Sequence, residues 1–214
     1  MRKFSYLIFL IISALFISHQ CALAEDYSLS IKKNSGKEVW AGKLIERFLE
    51  SLTLSPLTSL FMIPIDAEDL KLVGCSNFND LTFEQKKAFY IVFFAAIAER
   101  ESDFKPEDKT YDHYHNNMNI GLMQIDKHSA IRHAFEVVGK KVTNSELKDP
   151  VINFTIGAFI LKNQLEGFIR RDTQGKLFPN KIFYWDVLSL QKRQKFLKSF
   201  NNNKENLPFC EAKS

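Results

Sequence analysis

Apolar residues along this chain recur mostly at helical spacing or in unbroken runs. In Leu44 to Leu54 (LIERFLESLTL) they fall at 44, 45, 48, 49 and 52, one face of a helix. Pro56 and Pro64 interrupt the stretch beyond it. Thr82, with Gln85 three positions on, reads as a capping box. Phe83 to about Ser102 then continues without Gly or Pro. The centre of that stretch, AFYIVFFAAIA from Ala88 to Ala98, is apolar on all sides, which predicts a helix buried in the middle of a domain. Phe104 and Pro106 end it. A further helix is expected from near Asp126 to about Val138. Asp149-Pro150 supplies an N-cap followed by proline at the first helical position. The next residues, VINFTIGAFILKNQLE, place Ile152, Ile156, Phe159 and Ile160 on one face, with Gly167 as the stop. Asp186 to Phe200 reads as a last, amphipathic helix broken by Asn201 to Asn203. No hairpin signal stands out. The expected fold class is all-α, or mainly so, built round the buried central helix.

The beginning of the chain obeys other rules. Arg2 and Lys3 precede a short apolar stretch, Tyr6 to Ile17, and Ala22-Leu23-Ala24 offers an Ala-x-Ala cleavage site. This pattern predicts a secretory signal peptide over 1–24 and a mature start at Glu25. The apolar stretch is short of the roughly 20 residues a membrane span needs, so no stable span is expected. Residues 25–74 read as a polar, proline-interrupted extension that packs on or tethers a domain over 75–214. Twenty phenylalanines against eight glycines fit a bulky helical core. Removing the leader takes Cys21 with it and leaves Cys75 and Cys210, an even pair in an exported chain, which predicts a disulfide. Loss of Arg2 and Lys3 also brings the formal net charge from +4 to +2. So weak a charge gives no support for nucleic-acid binding. A secreted or periplasmic monomer is expected.

Candidate chemistry gathers where the buried helix ends. Glu99 and Glu101 both stand at the edge of the apolar run, where a carboxyl is costly unless solvated, paired or protonated. Glu101 has Phe94, Ile97 and Ala98 on its side of the helix, and Glu99 has Val92, Ala95 and Ala96. Periodicity alone does not choose between them. Desolvation of either would raise its pKa and keep it protonated near neutrality, as a general acid requires.

The sequence "AIAERESDFKP", a loop, and then "NIGLMQID" resembles the catalytic core of soluble lytic transglycosylases and goose-type lysozymes. Those families carry Glu-Ser at the end of a buried helix and Gly-Leu-Met-Gln-Ile/Val about twenty residues later. Here the matching residues are Glu101-Ser102 and Gly121-Leu122-Met123-Gln124-Ile125. "LKDPVINFTIGAFILKNQLE" is similar to the families' next helix, and the resemblance covers about Leu81 to Glu166. It implies a lysozyme-like fold and an enzyme that cleaves the bond between N-acetylmuramic acid and N-acetylglucosamine in peptidoglycan. Glu101 would be the acid, with Ser102 and the Gly121–Ile125 segment at the sugar cleft. No cofactor is implied.

The two families differ at the second carboxylate. An inverting hydrolase needs a base roughly 6.5–9.5 Å from the acid. A lytic transglycosylase has none, because the sugar's own C6 hydroxyl attacks. Goose-type lysozymes place aspartates in the loop and after Gln-Val/Ile, where this chain has Asp112 and Asp126, which tilts the reading toward hydrolysis. Asp126 also reads as a helix cap, and Asp112 as a solvated loop residue. The Tyr-Asn-Ala-Gly stretch usual in lytic transglycosylases is missing. "KIFYWDVLS" stands at a plausible distance, with Tyr184 or Trp185 as the aromatic bordering the cleft. His113-x-His115 is two ligands without a third, so no metal is expected. An inactive glycan-binding or scaffold protein of the same fold is the alternative from another class.

Overall fold

The computed structural model describes residues 29–32, 41–53, 56–113, 116–168, 171–180 and 184–210. Residues 1–24, where a leader with Cys21 is expected, and His115 lie outside them. Among the described residues the α-helices are α1 (Ala41–Leu52), α2 (Ala67–Val73), α3 (Phe83–Ser102), α4 (Lys127–Val138), α5 (Pro150–Leu165) and α6 (Arg193–Asn201). Three short strands, β1 (Lys109–Asp112), β2 (Asn117–Ile120) and β3 (Ile125–Asp126), complete a mainly α fold.

Helix α3 starts at the expected capping box: the Thr82 hydroxyl accepts from the Gln85 N–H, and the Gln85 side chain accepts from the Thr82 N–H. Every residue from Ala88 to Glu99 is buried, so the all-round apolar run is the domain's axis. Helix α6 packs along it and α1 packs along α5. Phe48 of α1 meets Phe94 of α3 edge-on at 5.4 Å and Phe154 of α5 at 4.5 Å. Phe93 meets Phe196 of α6 at 5.0 Å. Burying such a ring contributes about 1.5–3 kcal/mol. The segment 56–73 also feeds this core, through Leu57, Leu60 and Phe61.

Helix α5 begins as read, with the Asp149 carboxylate accepting from the Val151 and Ile152 N–H groups. It is buried on nearly all sides from Asn153 to Leu165 rather than on one face. It ends just before Gly167, whose φ of +74° turns the chain away.

Two elements differ from the sequence reading. The single helix expected from Asp186 to Phe200 is instead a short 3-10 turn, Asp186–Leu188, followed by α6 from Arg193. The Trp185 indole N–H donates to the Met123 carbonyl at 2.9 Å and Leu188 is buried, so the turn is pinned to the core and leaves the helical screw. The second difference is a hairpin that the sequence did not signal. Strands β1 and β2 pair antiparallel from Lys109↔Ile120 to Asp112↔Asn117, and β3 adds to β2 through Ile120↔Ile125. The residues joining β1 to β2 include neither Gly nor Pro. Asn116 takes φ +50° there, a left-handed conformation that asparagine tolerates better than most residues.

Cys75 and Cys210 are joined, with their Cα atoms 4.3 Å apart and a sequence separation of 135. Reducing this bridge is expected to lower stability by about 2–4 kcal/mol. Urea unfolding with and without reductant measures the loss, and coincident curves would contradict it.

Candidate active site

Glu101 occupies the last turn of α3 and is half-buried. Desolvation pushes its carboxyl up to about 7; Lys192 and Arg100 oppose that rise and Asp186 adds to it. A carboxyl with that affinity carries a proton for much of the time near neutrality and can deliver it to a leaving oxygen. Glu99 is only 8 % exposed, so burial alone does not separate the two glutamates.

Ser102 ties the end of α3 to the Gly121–Ile125 segment. Its hydroxyl lies 3.0 Å from the Leu122 carbonyl and 3.1 Å from that of Ala98, sharing one proton between them. Across the segment stands Asn153, fully buried on α5. Its Oδ1 accepts from the Met123 N–H at 2.7 Å, and its Nδ2 donates to the carbonyls of Ile120 (2.9 Å) and Leu147 (2.8 Å). Gly121 is required by this packing. Its φ is +82°, and a Cβ there would sit 2.4 Å from Asn153 Nδ2 and 2.5 Å from the Leu147 oxygen. Gly157 of α5 leaves room for Met123 in the same way, since a Cβ would lie 2.8 Å from its Cε.

The side chains of Leu122, Met123 and Ile125 point into the core and are fully buried. They hold the segment's backbone in place. Gln124, at φ +47°, donates through Nε2 to the Gly121 carbonyl at 2.9 Å. Its buried Oε1 has no hydrogen-bond partner among the described residues. After α3 the chain turns sharply through Asp103 (φ +53°) and Phe104 (φ +60°). The adjoining loop, Phe104 to Asp108, lines an open depression of about 690 Å³.

The two aspartates differ in role. Asp126 caps α4: Oδ1 accepts from the His128 and Ser129 N–H groups at 2.9 Å and from Asn117 Nδ2 at 2.8 Å. Burial alone would raise its pKa, but the Ser129 hydroxyl and N–H, the Tyr184 hydroxyl and the His128 N–H hold it below the usual range. Tyr184 also accepts from the Asp126 N–H at 2.6 Å, and its ring meets Trp185 edge-on at 5.0 Å. Asp112 ends β1, half-buried and opposite Asn117. The ring of His113 meets Tyr111 at 4.7 Å. Among the described residues no three His, Cys, Asp or Glu side chains cluster as metal ligands would.

Sequence reasoning missed three residues of this neighbourhood: Asn153, Asp186 and Lys192. Asn153 had a signal, since a lone amide in an apolar helical run is buried only with partners. Asp186 and Lys192 had none, because only the tertiary fold carries their turn to Glu101.

Residues 81–176 match the family model of the transglycosylase SLT domain, a stretch that includes Glu101, Ser102 and the whole Gly121–Ile125 segment. SLT domains are lytic transglycosylases. A comparison with curated proteins finds no match. Among solved structures the chain is similar to wild-type Bd0314 DslA in its form 2, at 25% identity and a TM-score of 0.61 over 80% of this chain and 93% of that one. A glutamate-to-glutamine mutant of the same protein aligns at 22% identity and a TM-score of 0.63, over 85% of this chain and 98% of that one. The chain has the lysozyme-like SLT fold, as the resemblance implied.

Proposed function

We propose that this protein is an exported glycosidase that cuts peptidoglycan strands between N-acetylmuramic acid and N-acetylglucosamine, with Glu101 as general acid. The observation that carries the reading is Glu101 itself. Its carboxyl is desolvated to a pKa of about 7, at the helix end that Ser102 ties to Gly121–Ile125, within the SLT-matched stretch. Glu101 protonates the glycosidic oxygen as the bond to the sugar C1 breaks. The Gly121–Ile125 segment borders the sugars beside Glu101.

For the second step we favour hydrolysis, with Asp112 or Asp126 taking the proton from the attacking water. The Oδ1 of Asp126 also caps α4 and accepts three hydrogen bonds. The second reading is lytic transglycosylation, favoured by the SLT family match. There the C6 hydroxyl of the muramic acid attacks its own C1 and leaves a 1,6-anhydro end. Mass spectrometry of digested, purified peptidoglycan separates them: reducing ends support hydrolysis, and anhydro ends support the second reading. No cleavage at all would leave a glycan-binding or scaffold protein.

Asp126 has its own test. Asp126→Ala removes the cap and is expected to cost about 1–2 kcal/mol, whereas Asp126→Asn keeps an acceptor and restores most of it. If Asp126→Asn melts like the wild type yet loses turnover, Asp126 is the base and the capping reading is too narrow.

Export is supported by the leader-like start and by the bridge between Cys75 and Cys210, which suits an oxidising compartment. Among the described residues no helix is long and apolar enough to cross a membrane. Sequencing the N-terminus of the exported protein tests the start at Glu25.

A further inference from the structure

Residues 29–32 lie against turns that come 171 and 176 residues later in the chain. Asn206 pairs with both backbone groups of Ser30: its Oδ1 accepts from the N–H at 3.2 Å and its Nδ2 donates to the carbonyl at 3.0 Å. Asn203 does the same for Lys32, at 2.6 Å and 2.9 Å. Lys32 is also ion-paired with Glu205. Leu29 and Ile31, in alternation with these residues, are buried in the core. Such alternation is the two-residue period of an extended strand. The two asparagines stand at either end of one 3-10 turn, with Asn203 as the cap of Lys204–Asn206. Side chains three apart eclipse in that geometry, about 6 Å along the axis at about 2.0 Å per residue. A strand repeats every two residues, at about 6.6 Å. The turn therefore presents two amides at the spacing of a strand, and they read its backbone rather than its side chains.

We propose that Asn203 and Asn206 form a binding site for an extended peptide strap, filled by this chain's own residues 29–32, and that filling it is coupled to the Cys75–Cys210 bridge. From Asn203 to Cys210 the chain winds through consecutive turns. The Asn206 N–H donates to the Asn203 carbonyl (3.1 Å), Leu207 N–H to Lys204 (2.8 Å) and Cys210 N–H to Leu207 (3.0 Å). Leu207 is fully buried. On the facing side Asn77, next but one to Cys75, donates through Nδ2 to the Phe209 carbonyl at 2.7 Å. The strap thus fixes one end of a short wound segment whose other end carries Cys210. Its docking raises the effective concentration of the Cys210 thiol at Cys75, and the bridge in turn holds the amides ready for the strap. Coupling of this kind is reciprocal. The site is remote from the candidate chemistry. Phe200, near the end of α6, meets Phe89 at 5.5 Å, and Phe89 precedes Glu101 along α3 by about 18 Å, at about 1.5 Å per residue.

The test equilibrates the intact protein in glutathione buffers and weighs the products after free thiols are trapped. Closing the bridge takes two electrons and two protons from the cysteine thiols, and glutathione disulfide carries them off as two reduced glutathione molecules. Asn206→Ala removes two hydrogen bonds and should lower the equilibrium constant of the bridge at least about tenfold. Ser30→Pro removes only the strap's N–H and should lower it about fivefold. In the double variant Ser30→Pro should add nothing, because its partner is already gone. Glu205→Gln, which breaks only the exposed ion pair, should leave the constant unchanged. Hydrogen exchange gives the reciprocal reading: reducing the wild type should speed exchange of the Ser30 and Lys32 amides about tenfold or more. Turnover of the oxidised variants should stay at the wild-type level. A wild-type constant in Asn206→Ala, or additive losses in the double variant, overturns the proposal. If Asn206→Ala fails to accumulate, Ser30→Pro and hydrogen exchange decide, and no change in either overturns it. A constant that varies with protein concentration would seat the strap on a second copy and overturn the intrachain assignment.

Discussion

Replacing Glu101 by glutamine lowers turnover on peptidoglycan by at least about 10²–10⁴-fold, the usual contribution of general acid catalysis. The amide keeps the size and most of the hydrogen bonding of the carboxyl and removes the proton that the leaving oxygen needs. Folding is not harmed, and the sign of the effect depends on pH. The folded-state pKa of Glu101, about 7, lies above its ordinary value of 4.5. The stability this group contributes is therefore fully present below about 4.5 and is lost as pH rises through about 7. Glu101→Gln does not titrate, so its stability relative to wild type improves across that window and levels off above it. Turnover assays at pH 6, with urea melts at pH 4.5 and pH 8, check both halves. Glu99→Gln is the companion variant. Its side chain leaves the helix about 160° away, at roughly 100° per residue, and turnover should fall far less. If the two variants exchange these outcomes, the acid is misplaced by two residues and the site falls with it.

Asn153→Ala carries the largest expected loss of stability. The side chain is fully buried and satisfies three backbone groups at once: Met123 N–H, Ile120 C=O and Leu147 C=O. Each buried group left without a partner costs about 1–3 kcal/mol, so the three together cost about 3 kcal/mol at the least. A domain with the usual stability of about 5–15 kcal/mol would melt many degrees lower or fail to accumulate. Turnover per folded molecule should fall too, since Asn153 holds the Gly121–Ile125 backbone against α5. Calorimetry measures the first effect, and turnover at a temperature where the variant is still folded measures the second. A melting temperature within a degree or two of wild type would mean that water replaces the amide and that Asn153 is not the anchor.

The elements that were legible in the sequence are those whose causes are local. Thr82 and Gln85 cap α3 within three residues of each other, and Asp149-Pro150 starts α5 by the same kind of short-range chemistry. The all-round apolar run of α3 announced its burial, because no face of it could be offered to water. Glu101-Ser102 and Gly121–Ile125 were visible only through the resemblance to a known catalytic core, since periodicity did not separate Glu101 from Glu99. The β1–β2 hairpin was not visible: its turn uses Asn116 in a left-handed conformation where a glycine would have given the signal.

The sequence by itself determined the axis of the fold, its caps, the paired cysteines and the two candidate acids, Glu99 and Glu101. Tertiary structure decided what those residues are beside. It pinned Trp185 to Met123, and so broke the helix expected from Asp186 and brought Asp186 and Lys192 to the side of Glu101. It added the Asn117 amide to the two local N–H donors on the Oδ1 of Asp126, a residue that the sequence already offered both as a cap and as a base. The physical reason is the range of the forces involved. Caps and periodic burial act over one helical turn and leave their mark on neighbouring residues. The proton affinity of a carboxyl depends on every charge and dipole within several ångströms, and those are contributed by chain segments far apart in sequence.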